Sequence, residues 1–385
     1  MCAARKPAKP TKAEIAARDE AIANAGGAAA PRAAGPGFGA IIGQDRVVGA
    51  LQSALRRNRL PHALLIHGQI GVGKATIAGV LAQALNCPQS GPGDACGTCP
   101  SCRKVERGLH PDVLWVAPHK GRIRIGQITP RKPDSSEPEP PHEPIVSWVG
   151  YRPYEGNRRV VVIDDAQAMN PPAQNALLKT LEEPPPSSIL MLVTAAPGSL
   201  LPTIRSRCQT LRFQPLGLPV MRQYLERHCG MSADEARLRS SLAPGSLGRA
   251  INLDLDAYNA RRDIAEAALE DACQGGAALL AGAETLLAAG AGERKIEQAS
   301  SAIDAVRGIL RDLLVLASGN DKEMVVNLDR ADEWTTWAGT LHADDIVDAL
   351  GAVQRADTRL RSPLQPNARL TVEEALIGVG AALRR

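Results

Sequence analysis

Aromatic residues are scarce in this chain: two Phe, four Tyr and four Trp make 3% of 385 residues. A core built from it must rest on Leu, Val, Ile and Ala, a composition that leans helical. No run of 18 apolar residues occurs, so no membrane span is expected. The first residues hold no secretory apolar stretch, and Glu14, Asp19 and Glu20 count against an organelle transit peptide. A sharp charge excess is missing too. The net charge of +4 permits contact with nucleic acid without arguing for it. A cytoplasmic chain is therefore expected, and its eight cysteines should not pair as structural disulfides.

Length predicts two or three domains, and an apolar fraction of 44% suffices for real cores. Residues 1–38 are rich in Ala, Pro, Gly and Lys and read as a mobile tail, with a helix across 12–24 and order beginning at Ile41. Strand candidates follow at 63–67, 113–117, 159–164 and 189–194, separated by helical segments at 74–85 and 173–183. That alternation predicts an α/β fold with a parallel sheet over 39–214. Residues 118–150 break the order, and their Pro-rich centre reads as a solvated insertion. After Pro215 only helices are expected. Short ones at 218–229, 232–242 and 246–252 form an all-α lid (215–254). Longer ones at 256–273, 276–289, 293–318, 329–339, 343–361 and 369–384 form an all-α C-terminal domain (255–385). No fixed-period repeat is present.

Residues 68–75 read Gly-Gln-Ile-Gly-Val-Gly-Lys-Ala. A phosphate-binding loop needs Gly, four residues, Gly, Lys and then Ser or Thr. Gly68, Gly73 and Lys74 are in place, with Gly71 a third glycine of the turn, between a strand and a helix whose N-terminus attracts phosphate. Ala75 stands where a hydroxyl should hold Mg²⁺. A second signature, Val160 to Asp165, sets a carboxylate at a strand's C-terminal edge, where Asp164 would hold the metal. Asp165 occupies the place of a water-activating Glu and is one methylene short. Taken alone, the two acids read equally as a strand end and a turn cap.

Cys87, Cys96, Cys99 and Cys102 offer four thiolates within sixteen residues, among turn-forming Pro and Gly. This spacing suits a closed tetrahedral zinc site of structural type, with an iron–sulfur cluster or a redox pair as rivals. Arg205 and Arg207 lie about ten residues past the fourth strand. Guanidinium groups at a domain edge suit phosphate on a partner chain, and an ion-paired surface explains them equally well. Trp148, Trp334, Trp337, His62 and His67 read as packing or cap residues.

Several blocks now stand in one order: Ile42-Gly-Gln44, Pro61-His-Ala63, the Gly-rich loop, the cysteine insert, Ile163-Asp-Asp-Ala166, Asn175 to Pro185 and Thr203-Ile-Arg-Ser-Arg-Cys208. Together they resemble the bacterial clamp-loader branch of the AAA+ ATPases over residues 40 to about 252, and more weakly to the C-terminus through Asn367-Ala-Arg-Leu370. The resemblance implies an AAA+ domain, a lid and a helical collar that assembles a pentamer. That pentamer opens a sliding clamp and places it on primer–template DNA. Partners would be gamma/tau-type motor subunits and a delta-type subunit. Within the branch the chain is most similar to the stator type, a weak or absent ATPase. Its Arg207 would complete the neighbour's ATP site in trans, and Cys87, Cys96, Cys99 and Cys102 would ligate zinc. A motor subunit should carry Thr or Ser at 75, Glu at 165 and Arg directly after Gly-Ser-x in the lid helix. Here stand Ala75, Asp165 and Gly248, with Arg249 displaced by about 100° around the helix. Gly73 and Lys74 leave nucleotide binding without turnover open. Two other readings stand beside this one: an active clamp-loader or other AAA+ ATPase, and a DNA-binding protein using the zinc module. The second is poorly supplied, with Arg103, Lys104 and Arg107 as its nearby cations.

Overall fold

The structure is a computed structural model and describes residues 37–89, 91, 93–130, 140–289, 295–320, 324–360, 362 and 366–384. The chain forms two compact units, one ending at Ile251 and the other starting at Asn252. The lid helices therefore group with the sheet, where the sequence set them apart as a separate domain.

The first unit is built on a five-stranded sheet. Its strands are β1 (Ala63–His67), β2 (Val113–Val116), β3 (Arg159–Ile163), β4 (Ser188–Thr194) and β5 (Gln209–Arg212), ordered β2-β3-β4-β1-β5. Every pairing is parallel. Successive side chains point to opposite faces. Leu64, Ile66, Val160, Val162, Ile189, Met191 and Val193 thus join one core, with Phe38, Leu51, Ile77 and Leu81. Leu65, Val161, Ile163, Leu190 and Leu192 join the other, with Trp148, Leu177 and Ile204. Burial on both faces explains why β1, β3 and β4 are almost wholly apolar.

α1 (Asp45–Arg56) and α2 (Lys74–Asn86) supply Leu51 and Ile77 to the first core, and Val105 comes from α3 (Pro100–Glu106). α4 (Ile125–Ile128), α5 (Ile145–Val149) and α6 (Pro171–Glu182) feed the second. The predicted helix over 173–183 begins two residues earlier, with Asn170 capping the N–H of Ala173 and proline in the first turn.

Three expectations need correction. The ordered chain starts before Ile41: Phe38 is buried, and its N–H donates to Asp94 Oδ1 (2.8 Å). The helix expected over 12–24 lies outside the described residues. The segment 118–150 is not simply a solvated insertion, because Ile123, Ile128, Ile145, Trp148 and Val149 are all buried in the core. Its centre, 131–139, lies outside the described residues. The sequence reading also missed β5, whose residues Gln209, Thr210, Leu211 and Arg212 are mostly exposed and hold their strand by pairing with β1.

α7 (Pro202–Arg205) precedes β5, and the stretch expected to form the lid holds α8 (Leu218–Cys229), α9 (Ala233–Leu242) and α10 (Leu247–Ile251). The second unit is all helical: α11 (Leu255–Gln274), α12 (Gly276–Ala288), α13 (Lys295–Ala317), α14 (Ala331–Ala338), α15 (Ala343–Leu360) and α16 (Ala368–Leu383). Its Ala- and Leu-rich core contains Trp334, whose indole N–H donates to Glu266 Oε1 (2.7 Å). Asp312, fully buried, accepts from Val326 N, Asn327 N and Asn327 Nδ2. No helix among the described residues is long and apolar enough to cross a membrane.

Candidate nucleotide-like site, cysteine centre and arginine edge

β1 ends at His67, and the loop Gly68–Gly73 turns into α2, with Gly73 in the left-handed region as its N-cap. β3 ends beside it, one strand removed, and delivers Asp164. The sequence-predicted residues Gly68, Gly71, Gly73, Lys74 and Asp164 are thus brought to one edge of the sheet. Burial raises the Asp164 carboxyl above its ordinary range, and the Asp165 charge raises it further. Burial also lowers the Lys74 ammonium, against the pull of Asp164 and Asp165.

The loop's carbonyls are committed. Lys74 Nζ donates to Gln69 O (2.8 Å), Ser246 Oγ to Ile70 O (2.7 Å) and Gly248 N–H to Gly71 O (2.8 Å). Gln69 Nε2 returns a bond to Pro244 O (2.9 Å). The first lysine partner is thus the loop itself, and the lid is fastened to the loop backbone to backbone. This approach needs glycine on both sides. A Cβ on Gly71 would stand 2.3 Å from Ser246 Oγ at a φ of +76°, and one on Gly248 would stand 3.1 Å from Gly71 O. Gly248 does more than omit an arginine, because it lets α10 seat on the loop. Gly248→Arg is expected to cost about 1–3 kcal/mol through overpacking. It should also speed amide exchange in 68–72 and 247–251 together. Unchanged exchange in both segments would refute the latch.

Asp165 has a left-handed φ of +48° and starts a short 3-10 turn. Its Oδ1 accepts from Gln167 Nε2 (2.8 Å), and Gln167 Oε1 accepts from Thr194 Oγ1 (2.6 Å) at the end of β4. The sequence reading missed Gln167 and Thr194. A threonine closing an apolar strand was the available signal.

The four cysteines converge: Cys87, Cys96, Cys99 and Cys102 have all their sulfur atoms within 4.8 Å of one another. Cys87–Cys96 is 3.5 Å, Cys87–Cys99 3.8 Å and Cys96–Cys102 4.0 Å. Four sulfurs about 2.3 Å from a tetrahedral zinc lie roughly 3.8 Å apart, so the donor set fits that ion. Backbone N–H groups of Cys99 and Cys102 donate to Cys96 Sγ (3.3 Å) and Cys99 Sγ (3.4 Å), which favours thiolates. Hydrogen bonds from Cys99 and Thr98 bring the Cys96 thiol down to about 6, while burial pushes Cys87 and Cys102 up. The centre is stitched to α2 through Ser101 Oγ to Asn86 O (2.9 Å) and Gln83 Nε2 to Cys102 O (3.0 Å).

At the arginine edge, Ile204 and Cys208 are buried four residues apart and anchor α7, while Arg205 is exposed. Burial pushes the Cys208 thiol up to about 11, so it acts as an apolar anchor rather than a nucleophile. Arg207 Nη1 donates to Thr203 O (2.9 Å), and Nη2 pairs with Glu182 Oε1 (2.6 Å). Glu182 and Glu183 close α6 at its negative end, where carboxylates are disfavoured and a cation is welcome. The sequence reading missed this partner. His62 Nε2 lies 3.2 Å from Leu181 O, and Trp148 and Trp334 are buried, consistent with packing roles.

Residues 43–217 match the family described as DNA polymerase III, delta subunit. DNA polymerase III subunit delta' of Bacillus subtilis is 36% identical over 173 residues, covering 45% of this chain and 48% of that protein. Subunit delta' of Escherichia coli is 31% identical over 218 residues, covering 56% and 62%. Subunit tau of Salmonella typhimurium is 34% identical over 221 residues, covering 56% and 32%. The chain thus spans about a third to three fifths of these relatives' own lengths. The sheet order, the loop after β1 and these matches fall in one segment, and over it the chain is similar to the bacterial clamp-loader subunits of DNA polymerase III.

Proposed function

We propose that this chain is a delta-prime-type stator of the DNA polymerase III clamp loader, a non-hydrolysing subunit that lends Arg207 to a neighbouring motor subunit's ATP. One asymmetry carries the reading. The residues hydrolysis needs within the chain are altered at three separate places, Ala75, Asp165 and Gly248, while Arg205 and Arg207, whose use is in trans, are kept. The geometry supports it: Lys74 is turned onto the loop, the lid is fastened to the loop, and Asp165 is held by Gln167. In this reading residues 218–251 act as a lid locked without turnover, and 255–385 as the collar that joins gamma/tau-type and delta-type subunits. The complex opens a sliding clamp on primer–template DNA in the cytoplasm during DNA replication. Cys87, Cys96, Cys99 and Cys102 hold a structural zinc, with no open position for chemistry.

A second reading, a working ATPase of the motor type, is favoured by the retained Gly73, Lys74 and Asp164 and by tau relatives as similar as the delta' ones. The purified chain decides between them. With Mg·ATP it should show no turnover above background, and mixing with motor-type and delta-type subunits should yield a complex with DNA-stimulated ATPase. Brisk metal-dependent turnover by the chain alone, lost in Lys74→Ala, would establish the second reading instead.

A further inference from the structure

The loop leading into β3, residues 151–158, is fixed far more firmly than a connector requires. Asp112 is fully buried, and its carboxylate accepts from three successive backbone N–H groups: Tyr154 (2.6 Å), Glu155 (2.9 Å) and Gly156 (2.8 Å). Asn86 Oδ1, also buried, accepts the next two, from Asn157 and Arg158 (both 2.9 Å). A Cβ on Gly156 would stand 2.4 Å from that same oxygen. Arg158 Nη1 donates to Pro186 O (2.7 Å), and Glu155 pairs with Lys104 of α3 (2.7 Å). Burying a carboxylate is costly unless such bonds offset it, so this backbone is held in one shape at some expense.

The rigid backbone presents two tyrosines to solvent, Tyr154 at 63% exposure and Tyr151 at 42%. Tyr151 is backed by a stack rooted in the core. The Arg159 guanidinium lies 5.6 Å from the Tyr151 ring centre and 4.4 Å from that of buried Trp148. Arg159 is itself tied to the loop through Arg152 O (3.1 Å). The Tyr151 ring, held this way, loses little freedom when something flat stacks on it, and Tyr154 projects from a backbone fixed through its own N–H. The loop, α3 and its C-cap together carry Arg103, Lys104, Arg107, Arg152 and Arg158 against Glu106 and Glu155. Flat aromatic platforms within an excess of cations match a ligand with π-faces and negative charge. An acidic polypeptide satisfies the charge but offers no regular succession of flat faces.

We propose that this loop is a binding surface for single-stranded nucleic acid, with bases stacking on Tyr151 and Tyr154 and phosphates meeting Arg152, Arg158, Arg103 and Arg107. It lies at the opposite end of β3 from Asp164 and does not rest on the stator reading. The test is fluorescence anisotropy of a labelled oligothymidylate with the full-length chain at low salt. Saturable binding that weakens as salt rises is expected. Tyr154→Ala should weaken it by about tenfold, while Tyr154→Phe, which keeps the ring, stays within about twofold of the parent. Tyr151→Ala should act likewise. If that variant melts early through loss of its contact with Arg159, the Tyr154 pair decides alone. Absence of saturable binding by the parent chain overturns the proposal, as does equal binding by Tyr154→Ala. Binding of polyglutamate in place of the oligonucleotide, lost in Tyr154→Ala, also overturns it and reassigns the loop to an acidic protein partner.

Discussion

Replacing Arg207 by alanine should lower the DNA-stimulated ATPase of the reconstituted complex by about 10³-fold at the site it completes, the scale of an arginine finger. Assembly should survive. Among the described residues Arg207 is anchored by Thr203 O and by a partly exposed ion pair with Glu182, and pairs of that kind contribute about 0–1 kcal/mol. A 10³-fold loss corresponds to about 4 kcal/mol of transition-state stabilisation, so a stability defect cannot imitate it. Arg207→Lys should remain far below the parent, because a point charge lacks the planar fork that grips phosphate oxygens. Arg205→Ala separates the two arginines: a larger loss there than at Arg207 would move the finger two residues upstream. Unchanged ATPase in Arg207→Ala, with the complex intact, defeats the stator reading.

Much of this was legible in the sequence for a physical reason. β1, β3 and β4 are buried on both faces, so their apolar runs stand out, and the loop after β1 must follow a strand and open a helix. The cysteine spacing likewise forced proximity. What stayed hidden depends on partners distant in the chain. β5 contains a single partly buried apolar residue, Leu211, and exists because β1 offers it an edge. Ile123 and Ile128 looked like part of a proline-rich insertion because their burial depends on α6 rather than on local pattern. The latch between Gly71 and Gly248 joins residues 177 positions apart, and glycine carries no side-chain pattern to betray a contact. Glu182 was visible as an acid at a helix end. That it opposes Arg207 required the turn of α7.

With zinc in the proposed four-cysteine site, its removal should do the greatest harm to the fold. The cysteine centre has almost no apolar content of its own: beyond the four sulfurs its buried members reduce to Ala95, with Ala84 packed alongside. Structural zinc in small modules supplies about 10–16 kcal/mol of apparent binding energy, which rivals the roughly 5–15 kcal/mol stability of a whole domain. Without the ion, residues 87–102 have nothing comparable to hold them. The damage should spread along two named routes. Asp94 Oδ1 accepts the N–H of Phe38, so residues 37–44 should loosen, and Ser101 and Gln83 tie the centre to the end of α2. Chelation, or Cys102→Ser, should therefore release about one zinc per chain, lower the melting temperature markedly and speed exchange in 37–44 and 83–104, with β4 less affected. Acid should act in the same direction, since protons compete with the metal for thiolates and buried Cys87 binds its proton more tightly than a free thiol. Zinc retention should fall as pH falls and recover on neutralisation with added metal. A chain purified without zinc that melts as high as the metal-loaded form, with the same exchange at Phe38, would show that the four thiols hold this corner unaided.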